Sequence, residues 1–188
     1  MRNLFILIFA LQVVLFSCIN DVQSQDRKAF EKAYFNYPEI PQGLLESIAF
    51  NRTRITHLSE NDPKSCIGLP QALGVFGLIR DGKGYFNNTL TLVAHLSDVS
   101  TEVIISDKDE HILAYAHALY HISDGDFSEE DLAVRLKLLS ELPYYTLEQQ
   151  FALDIQTFEV LSKLNDAEFM NSFGYEPLNL NLKNVFKS

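Results

Sequence analysis

Tryptophan is absent from this 188-residue chain, and cysteine occurs only twice. Two cysteines make neither a disulfide scaffold nor, by themselves, a structural zinc site. Basic residues are also in short supply: 15 Lys and Arg stand against 25 Asp and Glu, a formal net charge of −10. Nucleic-acid binding relies on neutralising phosphates with Lys and Arg, and this balance argues against it. After the first 17 residues no stretch approaches the ~20 apolar residues that a membrane span needs. What is present suits a folded globular chain: 47% hydrophobic and 21% charged residues, with 14 Phe and 8 Tyr to fill a core. The length fits one domain.

Residues 1–17, MRNLFILIFALQVVLFS, read as a signal peptide. Arg2 supplies the positive start, and Leu4 to Phe16 is an apolar run broken only by Gln12. Two exits are open. Leu15-Phe16-Ser17-Cys18 resembles a bacterial lipobox, which would leave Cys18 lipidated at the new N-terminus. Alternatively, Val22-Gln23-Ser24 is a small-residue site, which makes the signal 1–24. Either exit predicts export to the periplasm or outer membrane, with a lipid anchor as the only membrane attachment. Cys66 then remains as a free thiol, read as a small buried hydrophobe.

Residues 18–37 read as a linker and a short helix ended by Pro38, with Phe30, Ala33 and Tyr34 at helical spacing. LLESIAFNRTRI follows as an amphipathic helix with Leu44, Leu45, Ile48, Ala49 and Ile55 on one face. Residues 59–84 hold five of the eight glycines, at 68, 74, 77, 82 and 84. A Gly/Pro-rich connection of that length is usually functional, and a short helix is predicted inside it near Gln71–Ile79.

Further helices are predicted over Tyr85–Leu96, from the Asp107 cap through His121, and after a Ser128 cap with Leu132, Leu136 and Leu139 inward. Thr101–Ile105 reads as a short extended segment or the lead into a helix. Thr146-Leu147-Glu148-Gln149 is a capping box, opening a long helix whose stripe is Leu147, Phe151, Ile155, Phe158 and Leu161. Asp166 caps a last short helix, and the tail after Pro177 reads as extended. The fold class is mainly α, with one Gly-rich cleft loop.

Chemistry-bearing patterns are few. His117 and His121 share a helix face, but Ala118 stands where a zinc-protease Glu would be. The bland reading is two half-exposed histidines near a helix C-terminus. Asp124-Gly125-Asp126 lacks the rest of a calcium loop and reads as a turn. No metal site and no cofactor are expected.

The most informative pair is the Leu44–Ile55 helix and the glycine loop after it. GLLESIAFNRTRI, then GLPQALGVFGLI, resemble the soluble lytic transglycosylase and goose-type lysozyme superfamily. In that family a helix of the form L-x-x-A-I-A-x-x-E-S delivers a catalytic Glu, and a turn of the form G-x-x-G-L-x-Q lines the sugar groove. Ser47-Ile48-Ala49 matches A-I-A, Gly74-Val75-Phe76-Gly77-Leu78 matches the turn, and Ile112 in EHILAYAHAL fits a later helix. More narrowly, SCIGLP, GVFGLI, ILAYA, ELP and FALDIQTFEVL resemble the N-terminal lysozyme-like region of Bacteroidetes proteins named N-acetylmuramoyl-L-alanine amidases. The resemblance spans roughly residues 38–186. It implies a lysozyme-like helical domain over 38–188 with peptidoglycan as partner.

The departures carry as much information as the matches. Arg52-Thr53 occupies the catalytic Glu-Ser position, and Ile79 replaces the Gln after Gly-Leu. Glycosidic cleavage needs a carboxylic acid of raised pKa, and a guanidinium cannot donate its proton. Glu46 is the fallback acid, with Asp81 and Glu102 behind it. It lies six residues before Arg52, about 240° further round the helix, facing away from the stripe of Ile48, Ala49 and Arg52. Two readings of Arg52 stay open. It binds a lactyl or stem-peptide carboxylate in the groove, or it pairs with an internal acid.

The resemblance thus implies a catalytically degenerate domain that binds cell-wall glycan or targets wall enzymes. Arg52, Gly74, Phe76, Gly77 and Tyr85 would line the ligand. An active hydrolase with a non-standard carboxylate and a protein-interaction scaffold are the alternatives. Zinc amidase chemistry would need metal-ligating histidines and usually a further domain.

Overall fold

The computed structural model describes residues 27–143 and 145–185. The signal segment and Cys18 lie outside them. The chain is mainly helical: α1 (27–36), α2 (Leu44–Thr53), α3 (Thr89–Ser97), α4 (Thr101–Ser106), α5 (Lys108–Ile122), α6 (Leu132–Leu138), α7 (Leu147–Leu164), α8 (Ala167–Ser172) and α9 (Leu182–Val185). A small antiparallel hairpin, β1 (Ala72–Leu73) and β2 (Leu78–Ile79), pairs Ala72 with Ile79 and Leu73 with Leu78.

α2 is the pivot of the packing. Leu44 through Ala49 are all buried, including Glu46 and Ser47. α1 covers it through Phe30, Ala33 and Tyr34, which are buried at the predicted spacing. α7 packs on another side, where Ser47 Oγ donates to the Val160 carbonyl at 2.6 Å. Gly43, at φ 85°, starts the helix in close contact with α8, and a Cβ there would stand 2.5 Å from Met170 Sδ. On the other side of the core, α3 and α4 pack against α5.

Several sequence expectations need correction. α2 stops at Thr53 rather than Ile55, because Arg54 and Ile55 turn to φ 57° and 63°. Their amides close onto the Phe50 and Ala49 carbonyls at 3.1 and 3.2 Å. A β-branched residue at positive φ is strained. Residues 71–79 form the hairpin, not a helix, since Gly74 and Gly77 at φ 69° and 61° reverse the chain. α3 starts at Thr89 instead of Tyr85: the Gly82 carbonyl draws in the Tyr85 and Phe86 amides, making a turn. Thr101–Ser106 is a helix, capped by Ser100 Oγ, which accepts from Val103 N. α6 begins at Leu132, with Asp131 rather than the expected Ser128 at the cap position. The tail is not extended throughout, because Leu182–Val185 forms a turn of helix.

The capping box at α7 forms as expected. Thr146 Oγ1 accepts from Gln149 N at 3.3 Å, and Gln149 Oε1 accepts from Thr146 N at 3.1 Å. The buried face does not follow the expected stripe. Leu153, Thr157, Val160, Leu161 and Leu164 point inward, while Leu147, Phe151, Ile155 and Phe158 are exposed. α7 runs along the outside of the core, and Leu147, Phe151 and Ile155 of its second apolar face lie at the surface.

Candidate functional site

The C-terminal end of α2 lies under the hairpin turn. Thr53 Oγ1 donates to the Val75 carbonyl at 2.5 Å. A Cβ built on Gly77 would stand 3.4 Å from Thr53 Cγ2 and 3.6 Å from Arg52 Cβ. The structure therefore brings Arg52 and Thr53 against Val75 and Gly77 of the turn.

Arg52 has an internal partner. It forms an ion pair with Glu141, and the two side chains are 12% and 18% exposed. Gln156 Nε2 donates to Glu141 Oε1 at 2.9 Å, and Ser140 Oγ donates to Gln156 Oε1 at 3.0 Å. Asn87 ties the same segment down, its side-chain amide donating to the Ser140 carbonyl at 2.9 Å. Burial pushes the Arg52 guanidinium down to about 10, so it is still charged at neutral pH. Of the two readings of Arg52, this is the salt-bridge one. Phe76 is likewise turned inward, buried and stacked on Tyr115 with ring centroids 3.8 Å apart.

Gly74 owes its identity to His111. The imidazole packs so closely that a Cβ on residue 74 would stand 1.8 Å from His111 Cε1. The hydrogen bonds settle the tautomer. A backbone amide only donates and a carbonyl only accepts, so Nε2 accepts from Phe76 N at 3.2 Å and Nδ1–H donates to the Ile104 carbonyl at 2.9 Å. Burial pushes this imidazole down to about 4, against the pull of the Ile104 bond. His111 is thus a neutral pin between the hairpin turn and α4.

Glu46 sits on a different side of α2 and is only 1% exposed. Facing away from the Ile48 stripe does not bring it to solvent, because α1 and the chain after α8 close over it. Tyr34 OH donates to Oε2 at 2.5 Å and Tyr175 OH to Oε1 at 3.0 Å. Tyr34 OH also accepts from Leu45 N at 3.1 Å. Burial raises the carboxyl to about 7, while the hydrogen bonds from the two tyrosines pull it the other way. Tyr34 and Tyr175 line a cleft of about 430 Å³ that also includes Arg27, Glu31 and Gln42. The tyrosines stand between that cleft and the carboxyl.

The other candidate acids, Asp81 and Glu102, are exposed. Glu102 is held below the usual carboxylate range by hydrogen bonds from its own backbone and from Thr101 and Ser100, the wrong direction for a general acid. Asp81 lies in a cleft of about 230 Å³ on the glycine loop, with Glu60, Lys64, Gln71, Arg80 and Lys83. That cleft is braced. Arg80 pairs with Glu60 at 2.5 Å, Lys83 Nζ donates to the Gly68 carbonyl at 3.2 Å, and Gln71 Nε2 donates to the Ser59 carbonyl at 3.0 Å. Tyr85, two residues beyond Lys83, is 77% exposed.

Cys66 is exposed rather than buried, because the loop carrying it stays on the surface. His117 Nδ1 is hydrogen-bonded to Tyr37 OH at 3.0 Å. Among the described residues no cluster of three His, Cys, Asp or Glu is placed to hold a metal ion, and no helix is long and apolar enough to cross a membrane.

Sequence reasoning missed Tyr34, Tyr175 and Glu141 as partners, and missed His111 as the pin. A signal existed for two of these groups. Glu46 is the only charge within LLESIA, and His111 shares a helical face with Ile112 and Tyr115. The partners of Glu46 come from 12 and 129 positions away and that of Arg52 from 89, and no local pattern marks them. No protein-family model, no curated protein and no solved structure matches this chain.

Proposed function

We propose that this chain is an exported, lysozyme-like domain without glycosidase chemistry, which binds peptidoglycan and targets or scaffolds amidase-type wall remodelling in the periplasm or at the outer membrane. One observation supports the loss of chemistry above the others. The position where the resembled family carries its catalytic Glu holds Arg52, and that guanidinium is bound to Glu141. No proton donor stands there. Ligand contact moves outward to the glycine-loop cleft. Lys64 and Lys83 supply positive charge for lactyl and stem-peptide carboxylates, and exposed Tyr85 supplies a face for a sugar ring.

An active hydrolase is the second reading, and Glu46 favours it by its raised pKa. Against it, the carboxyl is sealed behind Tyr34 and Tyr175. A general acid must come within hydrogen-bond reach of the leaving oxygen.

The test is co-sedimentation of the purified protein with insoluble peptidoglycan, with the supernatant assayed for muropeptides. Binding without release is expected, weakened several-fold in Lys64→Glu/Lys83→Glu and in Tyr85→Ala. These are surface changes that leave the core intact. Muropeptide release that disappears in Glu46→Gln would establish the hydrolase instead. Absence of both binding and release sinks both readings and leaves a protein-interaction role.

A further inference from the structure

The longest helix turns an apolar face to solvent. Leu147, Phe151 and Ile155 are 80%, 66% and 45% exposed. At ~100° per residue, these three side chains fall within an arc of about 80°, so they form a continuous stripe. Val134 of the neighbouring α6, 46% exposed, adds to the apolar surface offered by this pair of helices. Single exposed apolar residues are ordinary, but a contiguous patch marks an interaction site.

The charges beside the stripe have a sign. Glu148 and Glu159, both exposed, lie roughly 20–40° past Ile155 on the same edge. On the opposite edge Asp154 pairs with Lys137 at 2.5 Å, which uses the nearby cation. A second copy of this chain is a poor occupant. It brings another formal charge of −10, and antiparallel pairing of two α7 helices about a twofold axis sets each acidic edge against its own copy.

We propose that the α7 stripe docks an amphipathic helix of a partner protein, with apolar residues at three- and four-residue spacing and Lys or Arg along one edge. The apolar side chains supply contact area. The basic edge meets Glu148 and Glu159 and sets orientation and encounter rate. This surface is separate from the glycine-loop cleft and does not depend on the glycan-binding reading.

The probe is a labelled synthetic helical peptide of Leu and Lys with that spacing, beside a Leu/Glu peptide of the same apolar pattern. Both are titrated by fluorescence anisotropy against the purified protein. The Leu/Lys peptide is expected to bind at least about ten-fold tighter than the Leu/Glu peptide. Phe151→Ser/Ile155→Ser should weaken the Leu/Lys peptide by about ten-fold or more at an unchanged melting temperature, since both side chains face solvent. Equal binding by the double variant would reduce the effect to charge attraction and overturn the proposal. So would equal affinity for the two peptides, or no binding to either. A concentration-dependent dimer in sedimentation that the double variant abolishes would assign the stripe to a second copy instead.

Discussion

The two ends of α2 bury opposite charges in opposite ways. Near its start, Glu46 is held by two tyrosine hydroxyls, with no cation paired to it among the described residues. Near its end, Arg52 is held by the carboxylate of Glu141. Hydrogen bonds from neutral donors offset only part of the cost of burying a charge. Glu46 is therefore pushed toward its neutral form, whereas Arg52 stays ionised at neutral pH. The first end is sensitive to pH and the second to loss of its partner.

The largest effect is expected from Arg52→Ala. It leaves the Glu141 carboxylate largely buried without its cation, at a cost of about 3–5 kcal/mol, measurable by urea unfolding. Arg52→Met/Glu141→Leu should recover most of that loss, because both charges are then gone. If the double variant is no better than the single one, the pairing of this end of α2 is wrong. The same instability makes Arg52→Ala a poor probe of glycan binding.

pH separates the two ends next. The Glu46 pKa is raised from 4.5 to about 7 in the fold. Its favourable contribution is fully present below pH 4.5 and is lost as pH rises through about 7, roughly 3 kcal/mol in all. His111 runs the other way. Its pKa falls from 6.5 to about 4, so its contribution is present above pH 6.5 and is lost as pH falls through about 4, again roughly 3 kcal/mol. In the window 4.5–6.5 the two slopes oppose each other, and this pair leaves wild-type stability nearly flat. Glu46→Gln should reveal the His111 slope, with stability rising between pH 4 and 6.5. A curve for Glu46→Gln as flat as wild type would show that Glu46 is not the group holding it level.

Tyr34→Phe should cost about 1–2 kcal/mol, because it removes a donor to Glu46 and an acceptor for Leu45 N. It should also move the Glu46 transition to still higher pH, since that hydrogen bond pulls the carboxyl down. Tyr175→Phe is the mildest change, about 0.5–1.5 kcal/mol, with a smaller upward shift. Chemical denaturation across pH reads both effects. Equal shifts from the two variants would mean that the shorter Tyr34 contact is no stronger than the Tyr175 one.

Much of the helical outline was legible in the residues. Asp107 and Asp166 accept from the first amides of α5 and α8, and Thr146 with Gln149 closes the α7 box, as those residue types at those spacings predict. The hairpin was not legible. Gly74 and Gly77 marked a turn, but strands of two residues carry too little alternation to be seen. The α7 face was misjudged for a related reason. Both the stripe through Phe151 and the face through Leu153 and Val160 are apolar, and periodicity does not say which of two apolar faces meets a core.

At the candidate site, Arg52 and Gly77 lie next to each other, as the helix and the loop after it suggest. Which side chains are available was a tertiary matter. Phe76 disappears under Tyr115, and Arg52 is taken by an acid 89 residues away.

What the amino-acid sequence determined on its own was local: where helices start, which glycines let the chain reverse, how acidic the surface is, and that no carboxylate occupies position 52. These follow from backbone sterics, capping hydrogen bonds and composition, which act over a few residues. The tertiary structure alone decided which charges are paired, that burial behind two tyrosines raises the Glu46 carboxyl, and that Leu147, Phe151 and Ile155 of α7 stay at the surface. Those outcomes depend on desolvation and on partners brought from distant segments, and both come into being only when the helices pack.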